Sequence, residues 1–208
     1  MGGVQTALAF RSYRPTTEDR AAVVPLPAHR GVVIVVADGV GGRPGGGRAA
    51  QMAVERISEA ATAVSKPLDP EVWRELLFDV DQALNDDAEA GETTAVIVAA
   101  TGAGVAGASV GDSEAWLVTA SGHSALTSRQ QRKPYLGYGA AIPVGFRSVR
   151  LEGTLLVATD GLFKCADAER IAAATRGDDL ASAAEAVAEI PRNREGSFYD
   201  DLAVVLCR

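Results

Sequence analysis

The sequence contains few cysteines and histidines, the residues on which many enzymes and secreted domains depend. Only two cysteines and two histidines occur among its 208 residues. The cysteines, Cys165 and Cys207, are too few for a disulfide framework and do not have the spacing of a zinc site. No HExxH motif is present, and His29 and His123 lie outside every acidic motif. These absences argue against a zinc hydrolase and against a disulfide-stapled fold.

Positive charge and long apolar runs are also scarce. The formal net charge is -7, which argues against a protein that binds nucleic acid by neutralising phosphates. No apolar run approaches the roughly 18 residues of a membrane span. The amino terminus lacks the basic and apolar regions of a signal peptide. We therefore expect a cytoplasmic protein with no nucleic-acid partner and no membrane partner.

Two common phosphate-handling motifs are missing as well. The glycine-rich residues 41–47 lack the lysine and the spacing of a nucleotide-binding P-loop, so a kinase or an ATPase is not favoured. A cysteine phosphatase needs its thiolate inside a loop that cradles phosphate. Cys165 is instead followed by Ala-Asp-Ala-Glu-Arg, which places two acids in that position. The sequence therefore excludes a cysteine-dependent phosphatase.

Apolar residues are plentiful, at 47% of the chain, and we expect one domain over residues 1–208. Apolar and β-branched runs predict strands at residues 4–12, 21–26, 32–36, 93–100, 105–110, 115–119, 154–158 and 202–207. Residues 121–153 are predicted to be mostly loop, with short strands near their end. Helical spacing of apolar residues predicts helices at residues 48–65, 70–85, 166–175 and 178–190. Two blocks of strands beside paired helices indicate an α+β or sandwich-type fold. The first two strands are expected to form a hairpin against residues 32–36.

Single acidic residues recur where the apolar strands begin or end. Asp38 and Asp160 each close a strand and precede glycine. Asp112 separates two strands, Asp200 precedes the last strand, and Glu18 lies in the first connector. Hard divalent cations such as Mg²⁺ and Mn²⁺ prefer oxygen ligands. Carboxylates from separated strands are therefore candidates to hold two ions that clamp a phosphoryl group and acidify a water.

In their order along the chain, these motifs resemble the metal-dependent protein phosphatases of type 2C, the PPM family. The resemblance runs from about residue 4 to residue 208. It rests on Arg14 with Glu18-Asp19, Asp38-Gly-Val-Gly-Gly42, Gly111-Asp112-Ser113, Asp160-Gly161 and Asp200-Asp201-Leu-Ala-Val. The fold that it implies is a four-layer αββα sandwich, in which helices cover two antiparallel sheets.

The resemblance also implies a site for two Mn²⁺ or Mg²⁺ ions. Asp38 would bridge both ions. Glu18 and the Gly39 carbonyl would bind one of them, directly or through water. Asp160 and Asp200 would hold the other. The bridging water would then attack phosphorus in line, a reaction that needs positioning and charge stabilisation more than a protein nucleophile.

The function implied by the resemblance is hydrolysis of phosphoserine or phosphothreonine in a phosphorylated protein substrate. Asp38 and Arg14 are the expected catalytic residues. Arg14 is suited to holding the substrate phosphate because a guanidinium matches two phosphate oxygens at once. Two alternatives stay open: a catalytically inactive binding module on the same fold, and a metal-dependent hydrolase of another phosphoester.

Three positions depart from the family pattern, and they support the inactive alternative. Family members usually carry an aspartate four residues after the Asp160 position, where it helps to hold a third ion with the Asp112 position. This chain has Lys164 there. Lys164 is expected either to pair with Asp112 or to point to solvent, and both expectations predict two ions rather than three. Asp201 replaces the usual asparagine, and Glu92 stands where a small residue is common.

Overall fold

Two antiparallel sheets form the centre of the computed structural model, which describes residues 4–13, 15–42, 44–148 and 150–208. The strands are β1 (Thr6–Arg11), β2 (Asp19–Leu26), β3 (Gly31–Asp38), β4 (Ala95–Thr101), β5 (Gly104–Val110), β6 (Glu114–Thr119), β7 (Gly122–Ala125), β8 (Val144–Ser148), β9 (Thr154–Ala158) and β10 (Leu202–Cys207). One five-stranded sheet has the order β1-β10-β9-β6-β7, and the other has the order β2-β3-β4-β5-β8.

Helices cover the outer face of each sheet. The helices are α1 (Gly46–Ala61), α2 (Pro70–Asn85), α3 (Asp160–Phe163), α4 (Ala168–Ala174) and α5 (Leu180–Glu189), with a 3-10 turn at Pro27–His29. Helices α1 and α2 pack on the sheet that contains β3. Helices α4 and α5 pack on the sheet that contains β10. Because a third core lies between the sheets, the fold is the expected four-layer αββα sandwich.

Strand β3 shows why its sequence is apolar on both faces. Val33 and Val35 pack against the layer of α1 and α2. Ile34 and Val36 point the other way, into the core between the two sheets. A central strand of a four-layer sandwich has no solvent-facing side, so a continuous β-branched run suits it better than alternation.

The predicted hairpin of the first two strands is wrong. Strand β1 pairs with β10, from Thr6 opposite Cys207 to Arg11 opposite Leu202. Strand β2 pairs with β3 in the other sheet. The connector between β1 and β2 therefore passes from one sheet to the other, at the end of the sandwich where β10 begins and β3 ends. Two short elements, β7 and α3, were also absent from the sequence prediction.

The remaining predicted strands and helices are present with small shifts of their ends. Asp69 caps α2, because its carboxylate accepts a hydrogen bond from the Glu71 backbone N–H at 3.2 Å. Strand β4 begins at Ala95 rather than at residue 93. Among the described residues, no helix has both the length and the apolar character that crossing a bilayer would require.

Candidate metal centre

The predicted acids meet in one cavity at the end of the sandwich. The cavity has a volume of about 270 Å³. Its acidic lining residues are Glu18, Asp19, Asp38, Asp112, Asp160, Asp200 and Asp201. The topology brings these residues together because β2, β3, β9 and β10 all begin or end at this edge of the two sheets. The structure therefore brings the candidate ligands Glu18, Asp38, Asp160 and Asp200 into one cavity.

Asp19 and Asp38 form the buried floor of the cavity. They are register partners in adjacent strands, and Asp19 is only 2% exposed. The Thr159 hydroxyl donates to the Asp19 carboxylate at 2.7 Å, and the same hydroxyl oxygen accepts from the Ala203 N–H at 2.9 Å. Thr159 thus links Asp19 in one sheet to β10 in the other. Sequence analysis placed Asp19 beside the site but assigned it no role.

Burial is the main reason that both floor carboxyls hold their protons unusually tightly. It raises the pKa of Asp38, and the nearby charges of Asp19 and Asp160 raise it further. Burial also raises the pKa of Asp19, and the charges of Asp201 and Asp200 add to the effect. The hydrogen bond between the two carboxyls raises the pKa of Asp38 and partly opposes the rise at Asp19. The floor is therefore a place where added positive charge would be favourable.

Gly39 follows Asp38 where the backbone is too crowded for a side chain. A Cβ at this position would lie 2.4 Å from the Gly46 carbonyl, at the start of α1. The Gly39 N–H donates to the Glu18 carbonyl at 3.4 Å. Two threonines fix the preceding residue: the Asp38 N–H donates to the Thr94 hydroxyl at 3.1 Å, and the Thr93 hydroxyl donates to the Asp38 carbonyl at 2.8 Å. The glycine therefore lets β3 and α1 meet closely beside the cavity.

Lys164 lies between two of the predicted metal ligands. Its ammonium Nζ is 2.7 Å from Asp160 Oδ2 and 3.0 Å from Asp200 Oδ2. Burial opposes the charged form of Lys164, but hydrogen bonds to these two carboxylates prevail and raise its pKa. Burial raises the pKa of Asp160, and the bond to Lys164 partly offsets this shift. Lys164 thus supplies a positive charge to this side of the cavity.

Both sequence expectations for Lys164 are wrong. It does not pair with Asp112, because the Arg132 guanidinium holds that carboxylate at 2.6 Å. It does not point freely to solvent either, since it contacts Asp160 and Asp200. The physical reason is the short helix α3, which places Lys164 one turn after Asp160. Sequence analysis predicted no helix in this segment and therefore could not infer the contact from the four-residue spacing.

Asp201 organises the connector that carries Glu18. Its Oδ1 accepts from the Tyr13 N–H at 2.8 Å and from the Ser12 hydroxyl at 3.2 Å. Its Oδ2 accepts from the Glu18 N–H at 3.0 Å. A carboxylate suits these donors because both of its oxygens accept, whereas an asparagine has one acceptor oxygen. The predicted phosphate ligand Arg14 falls between Tyr13 and Glu18 but lies outside the described residues.

A loop on the other side of the cavity is held by a buried acid that sequence analysis missed. Asp81 of α2 accepts hydrogen bonds from the N–H groups of Gly137 and Gly139 at 2.7 and 3.1 Å. It accepts a third from the N–H of Ala141 at 3.0 Å. The loop that is anchored in this way follows Tyr135, which lines the cavity. The sequence contained one indication of this buried acid: Asp81 falls on the apolar stripe of α2, four residues after Leu77.

The donor chemistry of the cavity fits a hard divalent cation. Its acidic side chains offer only oxygen atoms, and no histidine or cysteine is among the described lining residues. Within residues 4–13, 15–42, 44–148 and 150–208, however, no group of three or more His, Cys, Asp and Glu side chains is arranged ready to hold an ion. Asp160 and Asp200 are turned to Lys164 instead. Ion binding would therefore require these carboxylates to rearrange.

Comparison with known proteins identifies the family. Residues 16–197 match the sequence model of a protein family described as Protein phosphatase 2C. Among solved structures, the serine/threonine phosphatase Stp1 from Staphylococcus aureus superposes with a TM-score of 0.85 at 16% identity, over 99% of this chain and 95% of that chain. The phosphatase MsPP from Mycobacterium smegmatis, in complex with cacodylate, gives a TM-score of 0.78 at 22% identity over 99% of both chains.

A third solved structure is the catalytic domain of the phosphatase PstP in complex with two manganese ions. It gives a TM-score of 0.83 at 16% identity, over 98% of this chain and 97% of that chain. At these identities the superpositions establish the fold alone. A search of curated proteins finds no significant match. Because the family model spans residues 16–197, this chain belongs to the protein phosphatase 2C family.

Proposed function

We propose that this chain is a metal-dependent protein serine/threonine phosphatase, which hydrolyses phosphoserine and phosphothreonine residues. The observation that carries the proposal is the convergence of Asp19, Asp38, Asp160 and Asp200 in one cavity of a protein phosphatase 2C fold. An inactive binding module of this family would have no need to keep two carboxyls buried side by side, because their burial destabilises the protein unless a cation is bound.

Two ions, Mn²⁺ or Mg²⁺, are the proposed cofactors. Asp38, Glu18 and the Gly39 carbonyl would hold one of them. Asp38, Asp160 and Asp200 would hold the other. When bound, such ions polarise phosphoryl oxygens and lower the pKa of water. The solved PstP catalytic domain contains two manganese ions, which agrees with the number proposed here.

Other residues would position the substrate and the metal-binding carboxylates. Arg14 would bind the substrate phosphate through two parallel hydrogen bonds. Asp201 fixes the residues on either side of Arg14, and Thr159 fixes Asp19. In the overall reaction, an O–P bond to water forms and the O–P bond to the serine or threonine oxygen breaks. One proton of the water ends on that oxygen, so no residue needs to be consumed.

The proposed substrate is a phosphorylated protein. A second cavity, of about 570 Å³, adjoins the acidic one and shares Val40 and Tyr135 with it. Lys133 and Tyr138 also line this second cavity, so peptide residues beside the phosphorylated one would find both apolar and charged contacts there. A cytoplasmic location, the lack of nucleic-acid and membrane partners, and a single domain over residues 1–208 stay predictions from the sequence.

The test is hydrolysis of a chromogenic aryl phosphate and of a phosphothreonine peptide, each with Mn²⁺, Mg²⁺ or EDTA. We expect turnover with Mn²⁺ or Mg²⁺ and none with EDTA. Asp38→Asn should reduce turnover to less than about a tenth at saturating Mn²⁺, because one carboxylate charge is lost at the shared position. Asp178→Asn, on the exposed surface, serves as the matched control and should retain wild-type turnover.

Two outcomes would contradict the proposal. If no metal supports hydrolysis of either substrate by the wild-type protein, the inactive binding module becomes the better hypothesis. If the aryl phosphate is hydrolysed but the phosphopeptide is not, the chain is a metal-dependent hydrolase of another phosphoester. Retention of more than about a tenth of turnover by folded Asp38→Asn would show that Asp38 does not have the assigned role.

A further inference from the structure

The ammonium group of Lys164 occupies the position between two carboxylates that are proposed to hold one ion. Its Nζ lies 2.7 Å from Asp160 and 3.0 Å from Asp200. Among the described residues that line the acidic cavity, Lys164 is the only basic one. Both contacts use the Oδ2 atoms of the carboxylates, so the lysine engages an oxygen of each proposed ligand.

We propose that Lys164 is a tethered cation that stabilises the metal-free site and must leave Asp160 and Asp200 before an ion binds there. Lys164 would therefore lower the affinity of one of the two ion positions and make occupancy of the site depend on the metal concentration. The inference rests on the proposed function, since it concerns the same site, but it assigns to this chain its own control over metal loading.

The physical reason is that two cations cannot share the same carboxylate oxygens in a partly buried cavity. A divalent ion of the Mg²⁺ type binds oxygen at about 2.0–2.1 Å, so it would approach the space that the ammonium group now fills. Repulsion between unit charges at such separations is strong wherever water screens them poorly. Asp160 is largely buried, with 10% of its side chain exposed. The lysine and the ion are therefore competitors rather than neighbours.

Lys164 has the freedom and the space to move. Half of its side chain is exposed, at 50%, and its four-carbon stem is flexible. It also lines a neighbouring cavity of about 360 Å³, on the side where Asp112 and Glu114 lie. Arg132 lines the same cavity and pairs with Asp112, so a displaced ammonium group would meet mainly water there. Displacement therefore does not require the lysine to be buried without a partner.

Removal of Lys164 should have two opposite effects. Without metal, Asp160 and Asp200 would lose their shared counter-charge and would add to the repulsion around Asp19 and Asp38, so the protein should unfold at a lower temperature. With metal, the ion would no longer compete with an ammonium group, so binding should be tighter. A lysine that is merely a surface ion pair would produce neither effect, because exposed pairs contribute little to stability.

The test compares the wild-type protein with Lys164→Met and Lys164→Gln. Arg48→Met is the matched control, because Arg48 also pairs with two acids, Asp87 and Glu89, and is 48% exposed, but does not line the acidic cavity. Mn²⁺ affinity is measured by isothermal titration calorimetry and by electron paramagnetic resonance of free Mn²⁺. The unfolding temperature is measured in EDTA, and circular dichroism confirms folding.

We expect one Mn²⁺ to bind at least about tenfold more tightly to both Lys164 variants than to the wild type, since an opposing charge is removed. We also expect their unfolding temperatures in EDTA to fall. Arg48→Met should leave the Mn²⁺ affinity unchanged. Lys164→Gln keeps a side chain of similar reach without charge, so it provides the measurement if Lys164→Met does not fold.

Unchanged or weaker Mn²⁺ binding by the folded Lys164 variants would overturn the inference. The proposed function would survive that result if wild-type hydrolysis still requires Mn²⁺ or Mg²⁺. Failure of the function has a different signature: no metal-dependent hydrolysis by the wild type and none by the variants. Absence of Mn²⁺ binding in every protein would overturn both proposals. Binding by the variants but not by the wild type would support the inference in its strongest form.

Discussion

The Asp81 carboxylate provides the sharpest test of how the fold holds the edge of the cavity. Asp81 is fully buried, at 0% exposure, and accepts three backbone hydrogen bonds from the loop at residues 137–141. Asp81→Ala removes the acceptor of all three. A hydrogen bond to a charged group contributes about 1.5–3 kcal/mol. Because such contributions do not add, and water can reach part of the exposed loop, we expect a total loss of about 3 kcal/mol.

For a protein of this size, a loss of 1 kcal/mol lowers the unfolding temperature by about 2–4 °C, so Asp81→Ala should lower it by about 6–12 °C. Asp81→Asn should have roughly half of this effect. Its one oxygen can still serve Gly137 and Gly139, while its amide group would face the N–H of Ala141. Differential scanning calorimetry in EDTA measures both changes. Asp79→Ala, on the exposed side of the same helix, is the control and should change the unfolding temperature by less than about 2 °C.

The loop follows Tyr135, which lines the cavity. Asp81→Ala should therefore raise KM for a phosphopeptide more than it lowers kcat. The reasoning would be refuted if Asp81→Ala and Asp79→Ala had equal unfolding temperatures. Equal temperatures would mean that the three N–H groups find water as good a partner as the carboxylate. Hydrogen exchange at Gly137 and Gly139 gives an independent measure, since both amides should exchange faster in Asp81→Ala.

Two further predictions concern the acidic cavity. Arg14→Ala should raise KM for phosphorylated substrates with a smaller loss of kcat, because a phosphate ligand acts in the ground state and the transition state alike; unaltered kinetics in the folded variant would show that Arg14 has no role. In EDTA, the unfolding temperature should fall as the pH rises above 3.8, the ordinary pKa of an aspartate. Folding raises the pKa of Asp19 and Asp38, so above this pH the folded state binds more protons than the unfolded chain. Below pH 3.8 both carboxyls are protonated in the folded and the unfolded state, and their contribution to stability is fully present. Saturating Mn²⁺ should remove this pH dependence. An unfolding temperature in EDTA that does not change with pH would contradict the burial of Asp19 and Asp38.

Sequence alone determined the layered fold class and which acidic residues are candidates for the site. Both follow from local rules. The run of residues 32–36 is typical of a strand buried on both faces, and single acids at strand ends offer the oxygen ligands that hard divalent cations prefer. The motif order added the family, which the match over residues 16–197 confirms. The metal-binding and catalytic roles of Glu18, Asp38, Gly39, Asp160, Asp200 and Arg14 stay proposals.

Tertiary structure alone decided which strands pair and which charges meet. A strand such as β1 satisfies its hydrogen bonds equally well beside β2 or β10, so the sequence pattern could not choose between them. The spacing of Lys164 and Asp160 becomes informative only once α3 is known to be helical, and the contact with Asp200 joins residues 36 positions apart. Long-range electrostatic contacts depend on where the backbone places each charge. The sequence names the charges, and the packing of the two sheets selects their partners.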